Sequence, residues 1–211
     1  MRDRGIFTFH LLENPMKPLE NYREIITEGV TDTAMFGISY KDQAHIMTIL
    51  RDTLYSDKIL AILREYGANA WDSHRMVGKA NLPITIHLPD WSDPNLIITD
   101  YGDGLSHEEI FEIYTQYGAS TKRDSDDAVG MLGIGSKSGF AYSDSFTIIS
   151  RYGGKKRTYV AFLDESEKGT INLLNEEDWT KDTGITIQIA CKNEDIYEFK
   201  QKARNLYQYY E

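Results

Sequence analysis

Hydrophobic side chains recur at helical spacing in the first half of the chain. Residues 41–55 carry apolar side chains about every three to four positions, which predicts a helix. A second helix is predicted from Ser56, whose hydroxyl can cap it, to Met76. Its apolar stripe is formed by residues at offsets of four, three and four: Ile59, Leu63, Tyr66 and Ala70.

The second half of the chain alternates apolar and polar residues with the period of β-strands. Short β-branched runs predict strands at 82–88, 95–100, 144–150, 156–164, 169–175 and 184–191. Ser106 as a cap, with two glutamates behind it, predicts a helix over 106–118. The last predicted helix has an apolar stripe that we interpret as a packing face: Ile196, Phe199, Ala203, Leu206 and Tyr210. Helices followed by strands predict an α+β two-layer sandwich, in which the last four strands form an antiparallel meander.

Proline and glycine residues separate the first part of the chain from the patterned part. Pro15, Pro18 and Gly29 interrupt the beginning, which therefore resembles an arm more than a packed element. The chain is thus predicted to have three parts: an N-terminal arm (1–37), a central domain (38–192) and a C-terminal amphipathic helix (193–211).

Composition and charge narrow the classes of function. The 211 residues are 41% hydrophobic and 27% charged, which is typical of a globular domain with a core. A formal net charge of −10 argues against direct nucleic-acid binding, and the basic stretch RYGGKKR (Arg151–Arg157) is interpreted as a solvated turn between strands. Cys191 is the single cysteine, and no apolar run approaches the roughly 20 residues that span a bilayer. We therefore expect a soluble, cytoplasmic protein without a membrane span.

Three closely spaced glycines, Gly130, Gly133 and Gly135, lie in the stretch DDAVGMLGIGSKSGFAYSDSF. Two common phosphate loops are excluded by register. Ser136 interrupts the Walker A pattern before Lys137, and G-x-x-G-x-G is not the dinucleotide order G-x-G-x-x-G. Backbone N–H groups at glycines can still approach an anion, and Ser136 and Lys137 can add contacts. The stretch predicts either a phosphate-binding loop or a tight structural turn.

The stretch LREYGANAWDSH places three polar residues on one helix face. Glu65, Asn69 and Asp72 stand at offsets of four and three. Glu65 is a candidate general base for an attacking water, and Asn69 offers the oxygen type that Mg²⁺ binds. The alternative is a solvated helix face without chemistry.

The stretch IITDYGDGLS ends a predicted strand with an acid and two glycines. Asp100 can accept a hydrogen bond from the exocyclic amine of a purine, while Gly102 and Gly104 admit the flat ring. An ordinary Gly-Asp turn is the alternative. The order of the three patterns along the chain favours a nucleotide site.

These three ordered patterns resemble the GHKL superfamily of ATP-binding domains, which includes gyrase B, the ninety-kilodalton heat-shock chaperone, sensor histidine kinases and MutL. The resemblance covers about residues 42–189 and implies the Bergerat fold, a mixed, mostly antiparallel sheet with helices on one face and ATP beneath a mobile lid. The resemblance implies that Glu65 is the base and Asn69 the Mg²⁺ ligand, with Asp72 on the same helix face. It implies that adenine lies among Asp100, Gly102 and Gly104, and that the phosphates lie at Gly130, Gly133, Gly135, Ser136 and Lys137. A lid over 105–129 would carry Lys122 and Arg123.

Several stretches, TAMFGIS and LYSDKILAILREYGANAWDSH among them, are similar to the N-terminal portion of phage rIIA-type proteins, which are associated with lysis control and exclusion. Two departures from the GHKL pattern bear on activity. Gyrase-like members carry Thr-Gly-Thr where this chain has Thr183, Gly184 and Ile185, so weaker nucleotide contacts are expected there. Many relatives also supply a cation to the terminal phosphate from a following domain, which these residues do not include. Slow hydrolysis is therefore expected, because that cation stabilises charge in phosphoryl transfer.

Two functions remain open. The first is an ATPase switch, in which MgATP orders the lid and slow hydrolysis resets it. The second is a nucleotide-dependent module that engages a host protein with negligible turnover. By analogy with gyrase-like relatives, the N-terminal arm is expected to exchange across a homodimer. A histidine-kinase or topoisomerase role is disfavoured, because the chain lacks a dimerising hairpin with an acceptor histidine and the transducer and DNA-cleaving regions.

Overall fold

The strands form a single antiparallel sheet. We describe a computed structural model over residues 56–115, 135–165 and 168–208. The strands of this part are β1 (Thr85–His87), β2 (Asn95–Thr99), β3 (Ser145–Tyr152), β4 (Lys155–Leu163), β5 (Gly169–Asp178) and β6 (Gly184–Ala190). They pair antiparallel in the order β1-β2-β6-β3-β4-β5. The predicted α+β class is confirmed.

The predicted meander is correct only in part. β3, β4 and β5 follow one another as hairpins, but β6 returns to the middle of the sheet and pairs with both β2 and β3. Its Ile187 and Ile189 are buried, so this strand belongs in the centre, where both edges are hydrogen-bonded. β6 thereby joins the strand that carries Asp100 to the later hairpins.

Four helices accompany the sheet in the described residues. They are α1 (Lys58–Met76), α2 (His107–Thr115), α3 (Gly139–Tyr142) and α4 (Ile196–Tyr207), and 3₁₀ turns at Gly135–Lys137 and Asn193–Asp195 precede α3 and α4. The cap of α1 is Asp57 and not Ser56, because the Asp57 carboxylate accepts from the N–H of Leu60 at 2.9 Å. The predicted helix over 41–55 lies outside the described residues.

One face of the sheet forms the core with α1. A cross-strand row of isoleucines from β1, β2, β6 and β3 continues into Tyr159 of β4: Ile86, Ile98, Ile187 and Ile148. Residues of α1 belong to the same buried cluster as this row. The helix is buried more widely than its predicted stripe, since Ile62 is also fully buried.

The C-terminal helix α4 explains this wider burial, because it covers α1. The Tyr207 hydroxyl donates to the Leu63 carbonyl at 2.6 Å, and Gly67 lacks the Cβ that would stand 2.9 Å from the Tyr207 ring. Ile196, Phe199 and Ala203 are buried, so the predicted packing face of this helix is confirmed; Tyr210 lies outside the described residues. The three-part division of the chain stays a prediction, and the arm (1–37) lies outside the described residues.

The basic stretch Arg151–Arg157 forms the hairpin between β3 and β4, as predicted. Gly153 and Gly154 form its turn with positive φ angles of 60° and 76°. The cations behind the turn pair across to the neighbouring strand β5, with Lys156 bound to Glu177 at 2.8 Å and Arg157 to Glu176 at 2.6 Å. The stretch therefore presents little unpaired positive charge.

Candidate functional site

A cavity of about 410 Å³ opens between α1, α2 and the edge of β2 and β6. Its apolar wall comes from both layers of the fold: Ala70, Val77, Ile98, Leu105, Ile113 and Ile187. Polar groups enter from three places, Asn69 and Ser73 on α1, Asp100 after β2, and Gly135 and Ser136 before α3. The cavity thus brings together one or more members of each of the three sequence patterns.

Asp100 is the buried acid of the cavity and is only 6% exposed. One carboxylate oxygen, Oδ1, accepts from the N–H of Gly102 at 2.9 Å and from the Ser73 hydroxyl at 3.1 Å. Burial raises the pKa of Asp100 above its ordinary value of 3.8, although these hydrogen bonds oppose the shift. Both of these hydrogen bonds end on Oδ1, and the backbone of Ile185 also lowers the pKa of this carboxyl.

Two buried side chains brace the segment behind Asp100. The Arg151 guanidinium donates to the Asp100 carbonyl at 3.0 Å and to Thr186 Oγ1 at 2.8 Å. His74 Nε2 accepts from the N–H of Tyr101 at 2.7 Å, so its Nδ1 carries the proton and donates to the Leu82 carbonyl at 2.8 Å. His74 therefore connects α1 to the end of β2.

The glycines beside Asp100 have a different reason from the one predicted. A Cβ at Gly102 would collide with the Ser73 hydroxyl, and one at Gly104, where φ is +77°, would collide with the Arg151 carbonyl. Gly104 lines the cavity, whereas Gly102 instead lets α1 approach the Asp100 carboxylate. The close approach of Ser73 within the protein therefore already requires glycine at position 102.

The three polar residues predicted to share one face of α1, Glu65, Asn69 and Asp72, have different surroundings. Asn69 lines the cavity, and Glu65 lies next to Gly135, where an added Cβ would stand 2.8 Å from Glu65 Oε2. The other oxygen of Glu65 is bound by Arg64 at 2.8 Å. Asp72 is only 2% exposed and faces the interior, because α1 is covered on more than one side. The predicted shared open face therefore holds for Glu65 and Asn69 and is wrong for Asp72.

The glycine-rich stretch is described from Gly135 onward, and Lys122, Arg123, Gly130 and Gly133 lie outside the described residues. Gly135 and Ser136 line the cavity, and their role at the phosphates stays a prediction. Lys137 does not line it. The residue is 1% exposed, and its ammonium donates to the Ile113 carbonyl in the last turn of α2 at 2.6 Å. Burial lowers the pKa of Lys137 to about 8.

The position of Ile185, where gyrase-like members carry a second threonine, faces the cavity. The Thr183 hydroxyl two residues earlier donates to the Gly102 carbonyl. Ile185 cannot brace Asp100 with a hydroxyl, and the Ser73 hydroxyl makes such a contact from the opposite layer. Ser73, His74 and Arg151 are the site residues that sequence reasoning missed.

Two further observations concern metal binding and the ability of a helix to cross a membrane. The described part of the chain contains no cluster of three or more His, Cys, Asp or Glu side chains suited to a metal ion. A magnesium ion here would therefore need ligand oxygens from a nucleotide or water in addition to Asn69. In the same part of the chain no helix has the length and apolar character to cross a bilayer.

Comparison with known proteins agrees with this geometry. Residues 60–195, more than half of the chain, match the family model described as histidine kinase-, DNA gyrase B-, and HSP90-like ATPase. The chain is similar to the chaperone protein HtpG of Rickettsia bellii (strain RML369-C), at 26% identity over 176 residues that cover 72% of this chain and 28% of that protein. It is similar to HtpG of Clostridium perfringens (strain 13 / Type A) at 22% identity over 181 residues, 76% of this chain and 29% of that protein. The chain thus spans under a third of these relatives. It belongs to the histidine kinase-, DNA gyrase B- and HSP90-like family of ATPases.

Proposed function

We propose that this protein binds ATP with Mg²⁺, hydrolyses it slowly and uses the nucleotide to change conformation. The observation that carries the proposal is the Asp100 carboxylate, buried in a cavity that extends to Asn69 and to the loop at Gly135. Asp100 at one end of the cavity suits the adenine base of a nucleotide, and Asn69 beside the loop at Gly135 suits its phosphates.

The adenine end is supported by the uneven use of the Asp100 oxygens. The hydrogen bonds from Gly102 and Ser73 both end on Oδ1. Oδ2 would accept from the exocyclic amine of adenine, and the apolar wall around Ile98 and Ile187 suits the faces of the ring. Guanine would present a carbonyl oxygen to the same carboxylate, so the site favours adenine.

The phosphate end is supported by Asn69, Gly135 and Ser136, which all line the cavity. A nucleotide-bound Mg²⁺ would be held by the Asn69 carboxamide oxygen, and when bound it would offset phosphate charge. Glu65 stands beside the loop with Oε2 directed at Gly135, the position of a base that orients and deprotonates water.

A second candidate function is a nucleotide-binding module that engages a partner protein with negligible hydrolysis. The Arg64–Glu65 ion pair favours it, since Arg64 binds Oε1 through two hydrogen bonds at 2.8 and 3.3 Å. A carboxylate oxygen held by a guanidinium is less available to orient a water molecule than a free one. Because Arg64 is 54% exposed, this contact can be broken at little cost.

The biological setting that we propose is that of a phage rIIA-like protein in the host cytoplasm, with a role in lysis control or host interaction. Its support is the similarity of the stretch around α1 to rIIA-type proteins. In this setting, the ATP-driven change would alter contacts with a host protein or with a second copy through the N-terminal arm. Gel filtration with light scattering, with and without a non-hydrolysable ATP analogue, tests the dimer.

Binding and turnover are tested separately. Calorimetric titration with Mg²⁺ and a non-hydrolysable ATP analogue should show binding, and absence of binding would refute the proposal. In a turnover assay, Glu65→Ala should lose hydrolysis while keeping analogue affinity, and the exposed acid Glu194 provides the matched variant Glu194→Ala. Equal turnover in wild type and Glu65→Ala would exclude Glu65 as the base, and turnover in neither would leave the binding module as the function.

A further inference from the structure

We propose that the Tyr66 hydroxyl is a positioning group that sets the phosphate-binding loop against α1, so that it governs the contribution of the phosphates to nucleotide affinity. The inference rests on the proposed function and adds a residue that none of the sequence patterns includes. Tyr66 was predicted only as part of the apolar stripe of α1, and its ring is indeed 3% exposed. The hydroxyl, however, forms hydrogen bonds with the backbone of the loop, at Ser136 and Gly139.

The hydroxyl lies between two backbone groups three residues apart. It donates to the Ser136 carbonyl at 3.0 Å and accepts from the N–H of Gly139 at 2.9 Å. Ser136 closes the cavity wall and Gly139 begins α3, so the hydroxyl holds the point at which the loop turns into the helix. Both partners are backbone atoms, so the contact sets the path of the chain.

Close packing around Gly139 supports this role. A Cβ at Gly139 would stand 2.8 Å from the Tyr66 hydroxyl and 2.6 Å from Cδ1 of Phe146. The Phe146 ring in turn packs near the Tyr66 ring, with centroids 6.3 Å apart. Packing in the core therefore fixes the Tyr66 ring, and the hydrogen bonds to the backbone of Ser136 and Gly139 fix its hydroxyl.

The position of Tyr66 on α1 connects the loop to the candidate catalytic residues. Glu65 precedes it directly and Asn69 follows within one helical turn. The loop residue Gly135 approaches both of them, since an added Cβ would stand 2.8 Å from Glu65 Oε2 and 3.7 Å from Asn69 Nδ2. The hydroxyl thus fixes the spacing between the loop and the two groups that face it.

A second tether holds the same loop from the other side. The Lys137 ammonium donates to the Ile113 carbonyl of α2, whereas Tyr66 bonds the loop to α1. Loss of the Tyr66 hydroxyl should therefore leave the loop attached to α2 but free to move away from Glu65 and Asn69. A phosphate chain would lose affinity, while an adenine ring at Asp100 would not.

The experiment compares two ligands in three proteins. Wild type, Tyr66→Phe and Tyr142→Phe are titrated calorimetrically with adenosine and with a non-hydrolysable ATP analogue plus Mg²⁺. Tyr142 is a matched control, because its hydroxyl also makes two hydrogen bonds, to Asp195 at 2.6 Å and from the N–H of Lys192 at 2.9 Å, away from the cavity. The measured quantity is the ratio of the adenosine Kd to the analogue Kd.

Tyr66→Phe removes both hydrogen bonds between the hydroxyl and the loop and should lower this ratio by about tenfold, whereas Tyr142→Phe should leave it unchanged. An unchanged ratio in Tyr66→Phe would overturn the inference while leaving the proposed function intact. Wild type that binds neither ligand would instead overturn the proposed function. If Tyr66→Phe does not fold, hydrogen exchange over 135–139 in wild type decides: the analogue should slow it and adenosine should not, and an equal response to both would contradict the inference.

Discussion

Replacing Asp100 with asparagine should separate adenine recognition from the stability of the fold. The asparagine carbonyl oxygen can keep the two bonds that Oδ1 accepts from Gly102 and Ser73. Its amide nitrogen then takes the place of Oδ2 and turns a donor toward the cavity. The exocyclic amine of adenine would meet a second donor there, whereas the carbonyl of guanine would meet a partner.

The size of the effect follows from the charge that is lost. A hydrogen bond to an ionised group contributes about 1.5–3 kcal/mol, so Asp100→Asn should weaken binding of an ATP analogue by about 10- to 150-fold. Binding of the corresponding GTP analogue should weaken far less or improve. Asp103→Asn removes the same charge from an exposed residue that lines the same cavity, and it should change the affinity by less than about threefold.

Stability without nucleotide should change in the opposite direction. Burial raises the pKa of Asp100, so the folded state binds a proton more tightly than the unfolded chain, and stability falls as pH rises from 3.8 through the raised pKa. The buried charge is thus unfavourable at neutral pH, and asparagine removes it. The nucleotide-free variant should melt at the same temperature as wild type or higher.

Calorimetric titrations with both analogues and thermal melts at several pH values measure these effects. Two results would refute the reasoning. Unchanged affinity for the ATP analogue would show that Asp100 does not hold the base. Equal losses in Asp100→Asn and Asp103→Asn would show that the effect is general electrostatics and not a directed hydrogen bond.

Three further predictions concern residues around the same cavity. Ser73→Ala should weaken ATP-analogue binding by about five- to tenfold in calorimetry, because Asp100 loses a donor, with little change in melting temperature; unchanged affinity would contradict this. Arg151→Met should lower the free energy of unfolding in urea by about 3 kcal/mol, since it leaves the Asp100 carbonyl and Thr186 without their buried partner; a loss below about 1 kcal/mol would contradict it. For Lys137, whose pKa burial lowers to about 8, the unfolded chain binds more protons between pH 8 and 10.5. Wild-type stability should therefore rise across this range relative to Lys137→Met, by on the order of 3 kcal/mol, and parallel pH profiles would contradict the burial of the ammonium.

Local spacing was sufficient to predict the parts of the site that lie on one element. The offset between Glu65 and Asn69 places both beside the cavity, because helical geometry fixes their relative direction within a single turn. The same reasoning failed for Asp72, which has the proper offset but is buried. What covers a helix face is decided by other elements, here including α4, and the spacing within α1 carries no information about them.

Contacts between distant segments could not be predicted from the sequence. The sequence pattern places Arg151 in a basic turn, yet its guanidinium donates to the carbonyl of Asp100, which lies 51 residues earlier in the chain. The central place of β6 is a similar case, since the alternation in Gly184–Ala190 predicts a strand but not its neighbours. Ser73 had one available signal, because it follows the motif residue Asp72 directly and lies one helical turn beyond Asn69.

The two ends of the cavity are held in different ways, and this difference bears on how a nucleotide could act as a switch. Around Asp100 the bonds come from the body of the fold, through Arg151 on β3 and His74 on α1. Around Ser136, in the part of the chain that the structure describes, the side chains of Tyr66 and Lys137 bond the loop to α1 and α2. A ligand shifts a conformational equilibrium only through contacts that differ between the two states. In the proposed ATP-driven switch, a preformed adenine end would supply affinity that both states share, so the difference that drives the switch would arise where the phosphates meet the loop held by Tyr66 and Lys137.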